Sequence, residues 1–204
     1  MDYKNLSKFE KLAEFQTANF WRGERHFAAV YLKAVWLNDK AVMDEYERFG
    51  DRPYQFITNK RAYDRGLLFG FDGKQLDEHG WLQRPEFLEQ EEIPFTVKDK
   101  PYSSNYLQIG RGKNGKWTYS VSCSTGNASS SSGLSIWGKV MDSRKDCLKE
   151  GLKEMLLHHQ LAAERLKDDT CGNFNAKFSC EIVRQVKDMF DELTGRKAVQ
   201  LSFF

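Results

Sequence analysis

Apolar and polar positions along the 204-residue chain follow two different periods. Over the first fifty residues the period is helical. Leu6, Phe9, Leu12, Ala13 and Phe20 recur at turn spacing, and after a break near Gly23 so do Phe27, Val30, Tyr31, Ala34 and Val35. Asn38 is placed to cap a third short helix through Val42, Met43 and Tyr46, stopped by Gly50. These stripes predict an antiparallel helical hairpin in which one apolar face buries another. Residues 51–100 carry a weaker pattern. Asp51-Arg52-Pro53 reads as a loop, Gly66 to Gly73 as a short strand and turn, and Pro85 as the opening of a helical turn through Phe87 and Leu88. Glu86, Glu89, Glu91 and Glu92 then crowd four carboxylates ahead of Pro94. This run marks a boundary between a mainly helical part, 1–92, and a second module, 93–204; the alternative is one compact domain.

From Pro101 the period changes to two. Tyr106 to Ile109 leads into Gly110-Arg111-Gly112-Lys113-Asn114-Gly115, after which Trp117, Tyr119, Val121 and Cys123 alternate with Thr118, Ser120 and Ser122. Asn114-Gly115 between two such runs predicts a hairpin, because both residues tolerate positive φ. Ser124 to Gly133 has no apolar anchor and reads as a mobile loop, and Leu134, Ile136 and Val140 as a third strand with Trp137 on its opposite face. Ser143, with Asp146 three residues on, caps a long helix. Its buried stripe is Cys147, Leu148, Leu152, Met155, Leu156, Ala162, Ala163 and Leu166. A last helix runs from Ala176 through Ile182, Val186, Met189, Phe190 and Leu193 to Gly195, and Val199 to Phe204 reads as a final strand. The fold class expected is α+β: an N-terminal helical hairpin plus a three- or four-stranded antiparallel sheet with the long helix packed on one face.

Composition changes this picture little. With 40% apolar and 14% aromatic residues the chain fills a core, which excludes intrinsic disorder. The net charge of +2, from 31 basic and 29 acidic groups, excludes a polycation. Its distribution is uneven: residues 1–50 hold eight basic and eight acidic groups, whereas residues 101–150 hold seven against three. An anion-seeking surface is therefore expected near the hairpin. Cys123, Cys147, Cys171 and Cys180 form no Cys-x-x-Cys pair and are expected to be free thiols in a reducing cytoplasm. Charges in the first ten residues argue against a secretory peptide, and the richest apolar window, Phe27 to Leu37, is too short for a membrane span.

Several motifs match in letters and fail in context. Gly110 to Gly115 satisfies G-x-G-x-x-G and, with Lys116, nearly a P-loop. Both need a helix after the glycines, whose free N–H groups hold phosphate, and here an alternating strand follows. His158 and His159 are adjacent on the long helix, face different directions and read as surface decoration. Glu154 and His158 alone make no metal site. No nucleophile elbow and no His-Glu-x-x-His appears. No cofactor, metal or catalytic residue is expected. What remains is a basic fingertip: Arg111, Lys113 and Lys116 on a β-ribbon, with Arg144 and Lys145 opening the long helix, all suited to phosphate or carboxylate contacts. Glu24 and His26, beside Arg22 and Arg25, are the one compact polar group of the N-terminal half and the site of an alternative acid–base reading.

At residues 105–157 the succession of a Tyr-Leu-Gln-Ile-Gly strand, an Asn-Gly turn, a tryptophan-led strand, a Gly/Ser loop and an Asp-Ser-Arg-Lys-Asp-Cys-Leu helix start resembles a small module of accessory proteins of plasmids, integrative elements and phages. That resemblance covers about a quarter of the chain and implies a genetic setting, not an activity. Ser143-Arg144-Lys145 also resembles the phosphate-gripping helix start of double-stranded RNA-binding domains, although Leu148 stands where their later basic position falls. The function expected is a non-catalytic binding protein of a mobile genetic element, contacting nucleic acid or a nucleic-acid-processing enzyme. The alternatives are a protein-directed inhibitor of a host defence system, working through the acidic run and the aromatic N-terminal helices, and a small enzyme at Glu24 and His26.

Overall fold

The computed structural model describes residues 3–98, 104–165 and 173–195. Leu166, Cys171 and the expected final strand at 199–204 lie outside them. The chain is an α+β protein that divides into two compact units, Met1–Glu86 and Phe87–Phe204.

The first unit is helical: α1 (Lys8–Thr17), α2 (Arg25–Leu37), α3 (Lys40–Glu47) and α4 (Pro53–Leu67). Ser7 and Glu10 start α1 with a reciprocal capping box, the Glu10 carboxylate accepting from the Ser7 N–H at 2.8 Å. Asn38 closes α2 in the left-handed conformation, and it is Asp39 that caps α3, accepting from the Val42 N–H. Asparagine tolerates that conformation, so its place is the C-terminus of one helix, one residue before the N-cap of the next. The expected strand at Gly66 to Gly73 does not form: helix α4 runs through Leu67, and residues 68–73 are turn and coil. Pro53 opens the helix at the first position, where a missing N–H costs nothing, and Phe56 and Ile57 are fully buried. The core gathers Phe15, Tyr31 and Phe56, with ring centroids 4.8–6.0 Å apart. Phe9 belongs to none of this: α1 turns Lys11 and Phe15 inward and leaves Phe9 76% exposed.

The second unit is an antiparallel sheet in the order β1-β2-β3-β4, with β1 (Leu88–Pro94), β2 (Tyr106–Arg111), β3 (Trp117–Ser124) and β4 (Ser129–Ser131), followed by α5 (Arg144–Arg165) and α6 (Ala176–Thr194). The β2–β3 hairpin turns at Gly112–Lys116, with Gly115 at φ 84°. Two expectations change. The acidic run is an edge strand, not a helical turn, and the strand that follows the hairpin comes from the serine run expected as a loop, not from 134–140. Both have the same cause. Backbone pairing with a neighbour outweighs weak local preference, so β1 is exposed along almost its whole length yet hydrogen-bonded to β2. On the other side of the hairpin, Ser129–Ser131 pairs with Ser122–Ser124.

Helix α5 packs its stripe of Cys147, Leu148, Leu152 and Met155 on Leu107, Ile109, Trp117, Tyr119 and Cys123, and α6 adds Phe178, Ile182 and Val186. Ser143 caps α5, accepting from the Asp146 N–H at 3.1 Å. Gly151 sets the closeness of helix and sheet, because a Cβ there would meet Leu107 Cδ1 at 2.3 Å.

Candidate functional site

The hairpin and the first turn of α5 hold the five expected contact residues within the second unit. Arg111 ends β2, Lys113 sits in the turn, Lys116 precedes β3, and Arg144 and Lys145 open α5. Three of the five are already paired. Arg111 is bonded to Glu89, Arg144 to Glu91 at 2.5 Å, and Lys116 to Asp142 at 2.5 Å. Two of these pairings follow from β1 being a strand: running antiparallel beside β2, it brings Glu89 to Arg111 and Glu91 to Arg144. Lys116 draws the Asp142 carboxyl below its usual range through the hydrogen bond and the charge. Lys113 and Lys145 are exposed and have no acidic partner among the described residues. Such exposed pairs contribute little to stability, but they cancel the charge a phosphate would meet.

In the first unit, Glu24 and His26 are not brought together. Glu24 is 2% exposed, and its carboxylate accepts from the Trp21 N–H and the Thr58 hydroxyl, both at 2.9 Å. His26 is exposed and lies edge-on to Phe27. That inward turn of Glu24 has a larger effect on the surface. From Trp21 to Asn38 it is the sole carboxylate, so this segment presents no acid to solvent.

The rotation of α2 is fixed by Ala28, Tyr31, Ala34 and Val35 in the core. Helical spacing then places Arg25, His26, Ala29, Lys33 and Trp36 together on the outer face, and all five are exposed. Arg22, in the preceding turn, is exposed as well. Arg22, Arg25 and Lys33 have no ion pair or hydrogen bond among the described residues. Trp36 is 61% exposed, and Trp21 at the other end of the row is 72% exposed. Lys8 of α1 holds Trp36 in place, donating to its carbonyl at 2.6 Å with the ammonium 4.3 Å from the indole centroid. This cationic and aromatic face escapes a charge count by segment, since residues 1–50 balance eight against eight. The legible signal was the scarcity of acids between Trp21 and Asn38.

The remaining reactive groups are structural. His159 is not surface decoration: it is 1% exposed, with Nδ1 2.7 Å from the Ser179 hydroxyl, and burial lowers its pKa to about 4. Burial pushes the Cys123 and Cys147 thiols up to about 12, far from the thiolate a nucleophile needs. Lys11 and Glu47 form a buried pair at 2.6 Å that also takes the Tyr31 hydroxyl at 2.6 Å. Among the described residues no group of three or more His, Cys, Asp or Glu side chains is placed to hold a metal ion, and no helix is long and apolar enough to cross a membrane. In comparisons with known proteins, no family model, no curated protein and no solved structure matches the chain.

Proposed function

We propose that the chain is a non-catalytic nucleic-acid-binding protein and that its main contact surface is the outer face of α2. The observation that carries this reading is the row Arg22, Arg25 and Lys33, unpaired among the described residues and set in a segment, 21–38, whose one carboxylate, Glu24, is turned inward. Phosphate neutralisation by such a row releases counterions, which is the main source of affinity for nucleic acid. The hairpin residues Arg111, Lys113, Lys116, Arg144 and Lys145 take a secondary part, since three of them are held by carboxylates. The setting we propose, on the resemblance of residues 105–157, is a mobile genetic element.

Fluorescence anisotropy with labelled oligonucleotides at 50 and 200 mM salt tests this. Three phosphate contacts should weaken binding by roughly 15- to 40-fold across that range. Neutralising Arg22, Arg25 and Lys33 together should remove most of the salt dependence, whereas neutralising Lys113, Lys116 and Arg111 should change it far less. The opposite ranking would return the site to the hairpin.

A second reading is favoured by the mixed-charge rung on the sheet edge, where Glu89–Arg111 and Glu91–Arg144 alternate acid and base. Such a surface suits a protein, either a nucleic-acid-processing enzyme or a defence factor. It predicts a stoichiometric complex that Glu91→Lys disrupts, together with indifference to oligonucleotides.

A further inference from the structure

We propose that the α2 face takes single-stranded nucleic acid in preference to duplex, with Trp36 as a base-stacking platform and Arg22, Arg25 and Lys33 following the phosphates. This rests on the reading that α2 binds nucleic acid, and it goes on to name the form of the ligand. A duplex offers a protein mainly phosphates, sugars and groove edges; its base faces are stacked away. Unpaired strands expose those faces, and stacking on aromatic side chains is how proteins hold them.

The α2 face is built for the second case. Trp36 stands 61% exposed at one end of the cation row, beside Leu37, which is 64% exposed. An indole and a leucine pressed against phosphates would lose water without gaining an apolar contact, whereas an unstacked base offers them its whole face. The helix that carries the platform is fixed in advance, and the ring is partly restricted. Lys8 bonds the Trp36 backbone carbonyl and lies over one face of the indole, so a base would stack on the other, and Tyr31 and Val35 fix the rotation of the helix from below. The cation–π contact restricts the ring and lowers part of the cost of ordering it on binding. Arg25 and Trp36 lie eleven residues apart on one helix, which at 1.5 Å per residue separates them by about 16 Å. Phosphate contact and base contact therefore fall on different nucleotides of a strand laid along the helix. No carboxylate from the segment intervenes, because Glu24 is bonded to Trp21 and Thr58.

The experiment compares 20-nucleotide dT and rU strands with a 20-base-pair mixed-sequence duplex, by anisotropy and by quenching of tryptophan fluorescence, on the full chain. Expected is at least tenfold tighter binding of a single strand. Trp36→Ala should weaken that binding by about 5- to 150-fold. Trp36→Phe should recover most of it and Trp36→Leu should not, since leucine keeps the apolar area but has no π face. Circular dichroism checks that each variant folds, and an exposed site leaves little reason for it to fail. Equal or tighter binding of the duplex, or an unchanged affinity in both Trp36→Ala and Trp36→Leu, overturns the inference while leaving the nucleic-acid reading intact. Absence of binding to every oligonucleotide at 50 mM salt overturns both, and an acidic protein surface then becomes the ligand to seek for Arg22, Arg25 and Lys33.

Discussion

His159 is the side chain whose environment departs furthest from its place in the sequence. Its ring is buried between α5 and α6, with Nδ1 on Ser179 and no partner for Nε2 among the described residues. Protonation would bury a charge whose Nε2–H has no acceptor among the described residues, so burial, and secondarily the neighbouring His158, depresses its pKa to about 4. The unfolded chain binds this proton near pH 6.5 and the folded chain only near 4. Stability is therefore fully present above pH 6.5 and is lost as the pH falls from 6.5 towards 4. The loss attributable to His159 should reach at most about 3 kcal/mol. Urea titrations between pH 4.5 and 7 should show this slope in the native protein and a flatter one in His159→Gln. Equal slopes would mean that other groups carry the acid sensitivity. Asn59 makes a second residue-scale case. Its amide donates to the Phe49 and Gly80 carbonyls and accepts from the Leu82 N–H, tying the loop after α4 to the helix. Asn59→Ala should cost about 2–4 kcal/mol, since three backbone groups lose their partner.

Elements show the same competition between local signal and neighbour. Helix α5 was legible because its cap, Ser143 with Asp146, and its apolar spacing agree, and the hairpin was legible because Asn114-Gly115 suits the turn itself. Strand β1 was not. Glu89, Glu91 and Glu92 would be solvated in any conformation, so nothing in their polarity distinguishes a helical turn from an edge strand; the partner β2 decides it. The serine run became β4 for the same reason. Two predictions belong here. Gly151→Ala adds helix propensity worth about 1 kcal/mol, yet its Cβ would collide with Leu107. We expect a net loss of about 1–3 kcal/mol in thermal or urea unfolding, and a gain would show that α5 can lift from the sheet without penalty. The ion pairs of β1 give the second. Glu89→Gln with Glu91→Gln frees Arg111 and Arg144, changes stability by less than about 1 kcal/mol, and strengthens oligonucleotide binding at 50 mM salt. No change in binding would show that these guanidinium groups do not face the nucleic acid at all.

At the scale of the whole molecule, two hydrophobic cores share no residue: one lies within residues 3–82, the other within 93–193. Phe56 is fully buried in the first. Phe56→Ala should cost that unit about 3–5 kcal/mol and weaken oligonucleotide binding through α2. Amide exchange in β2, β3 and α5 should stay as in the native protein; faster exchange there would show that the two cores unfold together. The sequence by itself determined what depends on near neighbours along the chain: the α+β class, most of the helical periods, the Ser143 cap of α5, and the turn at Asn114-Gly115. Each is a matter of φ preference or of spacing within a few residues. Only the tertiary structure decided which charges remain available. Arg111, Lys116 and Arg144 stand out as a basic cluster in the sequence and are paired by carboxylates that β1 and Asp142 bring to them. Arg22, Arg25 and Lys33 vanish in a balanced count and emerge because Thr58, 34 residues away, draws Glu24 inward. Charge is a property of residues, but field is a property of positions, and the folded chain alone sets those.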